Sequence, residues 1–230
     1  MFGILIAMPT EARCFSSSFC SIGEVYTFTP KALVAVSGMG ELASQAAQTL
    51  IKKGVTCLIS CGTAVGLAPS IKPGTLCVPQ KILNHSKEVY YCDNDWRQQL
   101  LTGSSNKISL DEGNLIHTPN ILTTSNEKQT LHDSSGAIAA DMESLFIAQE
   151  AKRHQIPFVA LRVVIDDAHF TMPKQLTEAV SSNGEVAIRK ILLSLGKQPK
   201  LIYPLTTLAI NFNKTRKVLK TISQMKMFVS

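Results

Sequence analysis

The chain has 230 residues, is 45% hydrophobic and 17% charged, and carries a formal net charge of +6. That size and composition fit one large or two small globular domains with a sizeable core, and exclude a collagen, a disordered tail and a small disulfide scaffold. No apolar run approaches the ~20 residues of a membrane-spanning helix, and Met1–Met8 lacks the basic start of a signal peptide.

Short apolar runs alternate with helical patterns along the chain. Phe2–Ala7, Ala32–Ser37, Thr56–Cys61, Thr75–Val78 and Phe158–Ile165 read as strands. Their unbroken apolar character suits strands covered on both faces of a parallel or mixed sheet. Between them the pattern predicts helices over Glu41–Lys52, which stops at Gly54, Met142–His154, which stops before Pro157, and Asn183–Leu195. Residues 84–135 are polar and weakly patterned and read as loops around short strands. The alternation argues a three-layer α/β/α domain with a central mixed sheet.

The charge is unevenly placed. After Glu185 there is no acid, while nine basic residues follow, among them Lys214, Arg216, Lys217, Lys220 and Lys226. Residues 1–185 carry 14 basic and 17 acidic side chains, a net of −3. Leu208, Phe212, Leu219 and Ile222 recur at helical spacing in this basic tail. The plainer reading is a helix docked on the domain with a solvated basic face; the alternative is an interfacial helix that touches anionic lipid. Nucleic acid is not expected as a partner, because no aromatic platform is interleaved with the charges. The six cysteines form no C-x-x-C pair and the five histidines no cluster, so free thiols and no metal are expected.

Four segments sit where a strand end meets a turn or helix, the usual place for ligands in α/β sheets. They are Ala7-Met8-Pro9-Thr10-Glu11-Ala12-Arg13, Ser37-Gly38-Met39-Gly40, Ser60 to Gly66, and the pair Asp141-Met142-Glu143 with Arg162 to Asp167. Each is weak alone. Glu11 at a helix start, glycines in a strand-to-helix turn and Asp141 as a cap all have structural explanations. Capping explains Glu143 less well and Asp166 poorly, since carboxylates at buried strand ends cost desolvation energy.

Taken in order, Ala7-Met8 with Glu11, Ser37 to Gly40, Cys61-Gly62-Thr63-Ala64, Asp141-Met142-Glu143-Ser144 and Arg162 to Asp166 resemble the nucleoside phosphorylase/nucleosidase superfamily. The nearer match is the branch of methylthioadenosine/S-adenosylhomocysteine nucleosidases. Met8 to Arg13, Gly66-Leu67-Ala68-Pro69, Lys72-Pro73-Gly74 and the basic tail also resemble the hopanoid-associated phosphorylases, which act on an adenosyl group attached to a hopane lipid.

The resemblance implies a nucleoside phosphorylase-like catalytic domain over 1–196 and a basic amphipathic extension over 197–230. It implies cleavage of an N-glycosidic bond with release of adenine. Asp166 matches the acid that protonates the purine, and Glu11 the base that activates water. Glu143 matches the acceptor of the ribose hydroxyls, and Met142 the residue packed on the sugar. Thr63, Gly62 and Ala64 match the sugar or anion side, with Met8 and Gly38 in the same substrate-binding set. A phosphorylase would use Arg13 and the two glycine turns to hold phosphate, its co-substrate; a nucleosidase needs no cofactor. A carboxylate at Glu11 would repel a phosphate dianion, which favours hydrolysis over phosphorolysis. The resemblance further implies a homodimer in the cytoplasm, at the inner face of a membrane if the tail meets lipid. Val65, Ile165, Asp167 and His169 depart from the family pattern, and Thr123–Gly136 is short for the region that covers the base. These departures keep a non-catalytic nucleoside-binding member as the competing class.

Overall fold

The computed structural model of the chain describes residues 1–16, 20–86, 88–103, 108–173 and 201–229. In chain order these form β1 (Phe2–Ile6), α1 (Pro9–Ala12), β2 (Val25–Thr29), β3 (Ala32–Val36), α2 (Leu42–Lys52), β4 (Cys57–Gly66) and β5 (Leu76–Cys77). There follow β6 (Lys81–Leu83), β7 (Val89–Tyr91), α3 (Asn94–Gly103), β8 (Leu110–Asp111), β9 (Leu115–His117), α4 (Ser125–Ser135), β10 (Ala139–Asp141), α5 (Ser144–Arg153) and β11 (Phe158–Asp166). After the undescribed stretch come α6 (Ile202–Ser223) and α7 (Lys226–Val229).

All the strands join one mixed sheet, ordered β2-β3-β1-β4-β10-β9-β6-β7, with a branch from β4 through β11 and β5 to β8. β4 is the hub. One of its edges pairs in parallel with β1, from Phe2↔Cys57 to Leu5↔Ser60, and then antiparallel with β10 at Ala139↔Gly66. The other edge runs parallel to β11 from Leu58↔Phe158 onward.

Successive residues of a strand face opposite sides, so β1 reports what covers each face. Phe2 meets Trp96 of α3 and Phe228 of α7 edge-on, at 4.9 and 5.7 Å between ring centroids. Gly3 faces the other way, where an added Cβ would lie 3.1 Å from Leu50 of α2. Helices therefore cover both faces, as the three-layer reading requires. α2 and α5 are joined by Ser44 Oγ, which donates to Glu150 Oε1 at 2.6 Å. α6 lies along β11, where Thr215 Oγ1 donates to the Val164 carbonyl at 3.4 Å.

The five long apolar runs all fold as strands, within a residue at most ends. β4 is the exception: it continues to Gly66, so the segment read as a glycine turn at 62–66 is strand. Gly62 is extended there, and what it contributes is space. An added Cβ would lie 2.8 Å from the Arg162 guanidinium and 3.0 Å from Glu11 Oε2. Residues 84–135 hold the short strands expected there and, in addition, two helices, α3 and α4. α4 is announced by a capping box, in which the Thr124 side chain accepts from the Glu127 N–H and Glu127 reaches back to Thr124. The helix expected over Asn183–Leu195 lies outside the described residues.

The tail is a docked helix. Asn211, Thr215, Leu219 and Ile222 are buried along one stripe of α6, and Lys214, Arg216, Lys217 and Lys220 are exposed. Leu219, Ile222, Met225 and Phe228 belong to the same hydrophobic cluster as the central strands. The buried stripe of the second half of α6, with Met225 and with Phe228 of α7, is thus part of the core, although residues 197–230 read as an extension in the sequence. None of the six cysteines is in a disulfide, and burial pushes the Cys57, Cys77 and Cys92 thiols up to about 12.

Candidate active site

The ends of β1, β10 and β11 and the second half of β4 converge on a cleft of about 110 Å³. Among the described residues its charged lining is three carboxylates, Glu11, Asp141 and Glu143, around the guanidinium of Arg162.

Glu11 comes from α1, which starts with Pro9 directly after β1; proline is pre-set for a first helical turn. Its carboxylate accepts from the Thr63 N–H at 2.9 Å and from the Met8 N–H at 3.4 Å, so β4 and the strand exit hold it in place. Glu11 is only 2% exposed. Burial raises its proton affinity, and Arg162 and the two N–H donors offset part of the rise.

Arg162 ties three elements together. Its Nε lies 2.6 Å from Asp141 Oδ2 and its second terminal nitrogen 3.4 Å from Glu143 Oε2. It also donates to Ser60 Oγ at 2.6 Å, to Ser144 Oγ at 3.2 Å and to the Thr63 carbonyl at 3.3 Å. Burial opposes its charge, and Asp141, Glu143 and Glu11 outweigh burial and hold it protonated. Asp141 also receives the Ser144 hydroxyl and the Ser144 N–H, so it caps α5 as expected, though the helix begins at Ser144 rather than Met142.

Glu143 sits between α5 and the turn before α2. Gly40, whose φ of +64° suits glycine, donates its N–H to Glu143 Oε1 at 3.4 Å. The anion faced by that turn is therefore the protein's own carboxylate. Burial pushes Glu143 up to about 7, with Asp141 and Glu11 adding to the rise and Arg162 opposing it. A carboxyl raised in this way stabilises the fold below its unfolded value near 4.5, and that contribution is lost as pH climbs through about 7. Glu143→Gln is accordingly expected to raise the melting temperature of the ligand-free protein at pH 8, by roughly 2–6 °C for a gain of about 1–2 kcal/mol. The gain should vanish at pH 4.5. Calorimetry at the two pH values reads this directly, and equal melting shifts at both would refute it.

Asp166 follows a β-bulge. β11 pairs Val164 with Ala64 and then Asp166 with Val65, so Ile165 is the extra residue. Bulges re-aim side chains beside functional sites, and here Ile165 lies on the cleft wall while Asp166 is buried and is not among the residues that line it. Asp166 Oδ2 is 2.8 Å from Nζ of Lys128 on α4, in a pair whose side chains are 3% and 0% exposed. Asp166 Oδ1 is buried with no hydrogen-bond partner among the described residues. Burial raises the proton affinity of Asp166 and Lys128 opposes the rise.

Of the residues singled out in the sequence, Met8, Glu11, Thr63, Ala64, Met142 and Glu143 share the cleft wall. Gly62 lies against Glu11 and Arg162. Gly38 is buried in its turn with a φ of +77°, facing Leu42 and Ile22 rather than the cleft. Arg13 is exposed at the end of α1 and is not on the cleft wall. Phe158, Tyr90 and Tyr91 do not line the cleft either; Thr118, Asn120, Ile121 and Leu122 do. Lys128 gave no signal in the sequence. Arg162 was quoted within its segment, but its contacts with three elements were not legible.

The chain belongs to the Phosphorylase superfamily, whose family model matches residues 2–195. It is 26% identical over 198 residues to a 5'-methylthioadenosine/S-adenosylhomocysteine nucleosidase of Baumannia cicadellinicola, with 73% of this chain and 86% of that protein covered. Among solved structures it shares its fold with the futalosine hydrolase of Helicobacter pylori, at a TM-score of 0.68, 17% identity and 97% of each chain. A 5'-methylthioadenosine/S-adenosylhomocysteine nucleosidase of S. pneumoniae with a transition-state inhibitor also matches, at a TM-score of 0.68, 15% identity and 97% and 98% coverage of this chain and that one. The nucleoside phosphorylase-like fold expected from the sequence is the one found.

Proposed function

We propose that this protein hydrolyses the N-glycosidic bond of an adenine nucleoside. Glu11 takes a proton from the attacking water as oxygen bonds to C1′. The bond from C1′ to the purine breaks, and Asp166 supplies the proton that the purine needs to leave as a neutral base. Glu143 accepts from the ribose hydroxyls, bonds that strengthen as positive charge develops on the ring. Met142 packs on the sugar, and Thr63 lines the same side of the cleft.

The charge of the cleft carries this reading. Arg162, the one cation that lines it among the described residues, is already engaged by Asp141 and Glu143, and Glu11 shares the same guanidinium. A phosphate dianion entering there meets an excess of negative charge; a water molecule does not. Phosphorolysis loses its expected cation as well, because Arg13 lies away from the cleft wall. The names of the relatives supply the substrate panel: 5'-methylthioadenosine, S-adenosylhomocysteine and futalosine. Base release from at least one of them, unchanged when phosphate is removed, is the expected result. Release that needs phosphate would assign a phosphorylase, and no release from any of them would leave the lipid-linked or non-catalytic reading.

An adenosyl-lipid substrate has one observation in its favour. The outward side of α6 exposes Ile202, Tyr203 and Ile210, followed by Lys217 and Lys220. Apolar residues beside lysines, with no acid nearby in the sequence, suit an anionic bilayer surface at about 1 kcal/mol per lysine. The protein is expected to co-sediment with phosphatidylserine vesicles and not with phosphatidylcholine vesicles. Lys217→Glu with Lys220→Glu is expected to weaken that binding at least ~10-fold. Equal binding by wild type and the double variant would remove this reading of the tail.

A further inference from the structure

Lys128 is fully buried and belongs to none of the motifs that carry the proposed reaction. Burying an ammonium costs several kcal/mol unless every N–H is satisfied. Here all three are: Nζ donates to Asp166 Oδ2 at 2.8 Å, to the Asp167 carbonyl at 2.8 Å and to the Phe170 carbonyl at 2.9 Å. The same nitrogen lies 5.7 Å from the centre of the Phe170 ring. One cation thus gathers a carboxylate and the two carbonyls of the turn that leaves β11.

The other half of the pair is asymmetric. Asp166 Oδ2 is taken by Lys128, while Oδ1 is buried and has no hydrogen-bond partner among the described residues. An unpaired carboxylate oxygen in a buried place is costly and calls for an explanation, and a buried carboxylate with a perturbed proton affinity is a candidate functional group. Ile165, its neighbour at the bulge, lines the cleft.

We propose that Lys128 is a positioning residue for Asp166: it holds Oδ2 and the following turn, and leaves Oδ1 as the oxygen that meets the purine. This rests on the reading of Asp166 as the acid. In this arrangement Lys128 does two things. It fixes the rotamer of Asp166 from the side away from the base. It also sets how readily Asp166 holds its proton, by opposing the effect of burial. The described charged groups that bear on Asp166 are Lys128, from α4, and Asp167, its neighbour in the chain. Asp167 adds negative charge and Lys128 counters it.

The test compares pH profiles of kcat for adenine release from 5'-methylthioadenosine in wild type, Lys128→Met, Lys128→Arg and Asp166→Asn. An acid must be protonated to act, so its ionisation sets the alkaline limb of the profile. Without the lysine charge, Asp166 keeps its proton to higher pH, and the limb of Lys128→Met is expected to move up by about one pH unit or more. Lys128→Arg keeps the charge, so its limb is expected to stay with wild type even where kcat falls. A merely structural lysine would lower kcat or stability in both variants and leave both limbs in place, and that result overturns the proposal. Full activity in Asp166→Asn would instead overturn the assignment of the acid. A Lys128→Met protein that does not fold, with Lys128→Arg displacing the limb although the charge is kept, would also count against it.

Discussion

Asp166→Asn is expected to lower kcat for adenine release by about 10²–10⁴-fold, the range that a positioned general acid supplies. The fall should appear in kcat with little change in KM, because the proton is needed as the glycosidic bond breaks and not to bind the nucleoside. Two features of the site set this apart from a loss of structure. Asn can still accept from Lys128 through its amide oxygen, so the buried contact survives in a neutral form. The asparagine amide has no proton acidic enough to give to a purine nitrogen. A nucleoside whose leaving group departs without protonation, such as a nitrophenyl riboside, should be cleaved by the variant at nearly the wild-type rate. Equal losses on both substrates would mean that Asp166 does something other than protonate the base.

Glu11→Gln is expected to cost a comparable ~10²–10⁴-fold in hydrolysis, with nucleoside binding retained. The Glu11 carboxylate accepts two backbone N–H groups, from Thr63 at 2.9 Å and Met8 at 3.4 Å. Glutamine keeps one of these bonds and turns an amide group toward the other donor, so a modest loss of stability of about 1 kcal/mol accompanies the loss of rate. Neutralising Glu11 also relieves the excess of negative charge in the cleft. Phosphate-dependent cleavage is therefore the informative control. If it rises above wild type while hydrolysis falls, Glu11 is the residue that excludes phosphate. If hydrolysis persists at the wild-type rate, water is activated elsewhere and Glu11 is only an acceptor for the β1 exit and β4.

Much of the frame was legible because the central strands are apolar on both faces, which leaves few alternatives for Phe2–Ile6, Ala32–Val36 and Phe158–Asp166. The stretch from 84 to 135 was not, because its strands are two or three residues long and take their partners from distant parts of the chain. β9, for example, is recognisable only beside β6 and β10. A capping box at Thr124 and Glu127 was present to be read and points to α4. The cleft was half legible. Glu11, Thr63, Met142 and Glu143 belong to local motifs and do meet there. Arg162 and Lys128 draw their meaning from partners many residues away, Asp141 and Asp166 among them. No local pattern marks a lysine in a polar helix as one that will be buried. The bulge at Ile165 is likewise set by pairing with β4, and it puts Ile165 of β11 on the cleft wall.

The contact of Phe2 with Phe228 bears on how the protein comes to be folded during its synthesis. During synthesis β1 emerges well before α7, which carries the aromatic ring packed on one of its faces. Until α7 arrives, Phe2 and Trp96 present a sticky face to the cell. A nascent chain stalled before Gln224 is thus a natural client for chaperones, and a message truncated there should yield insoluble protein.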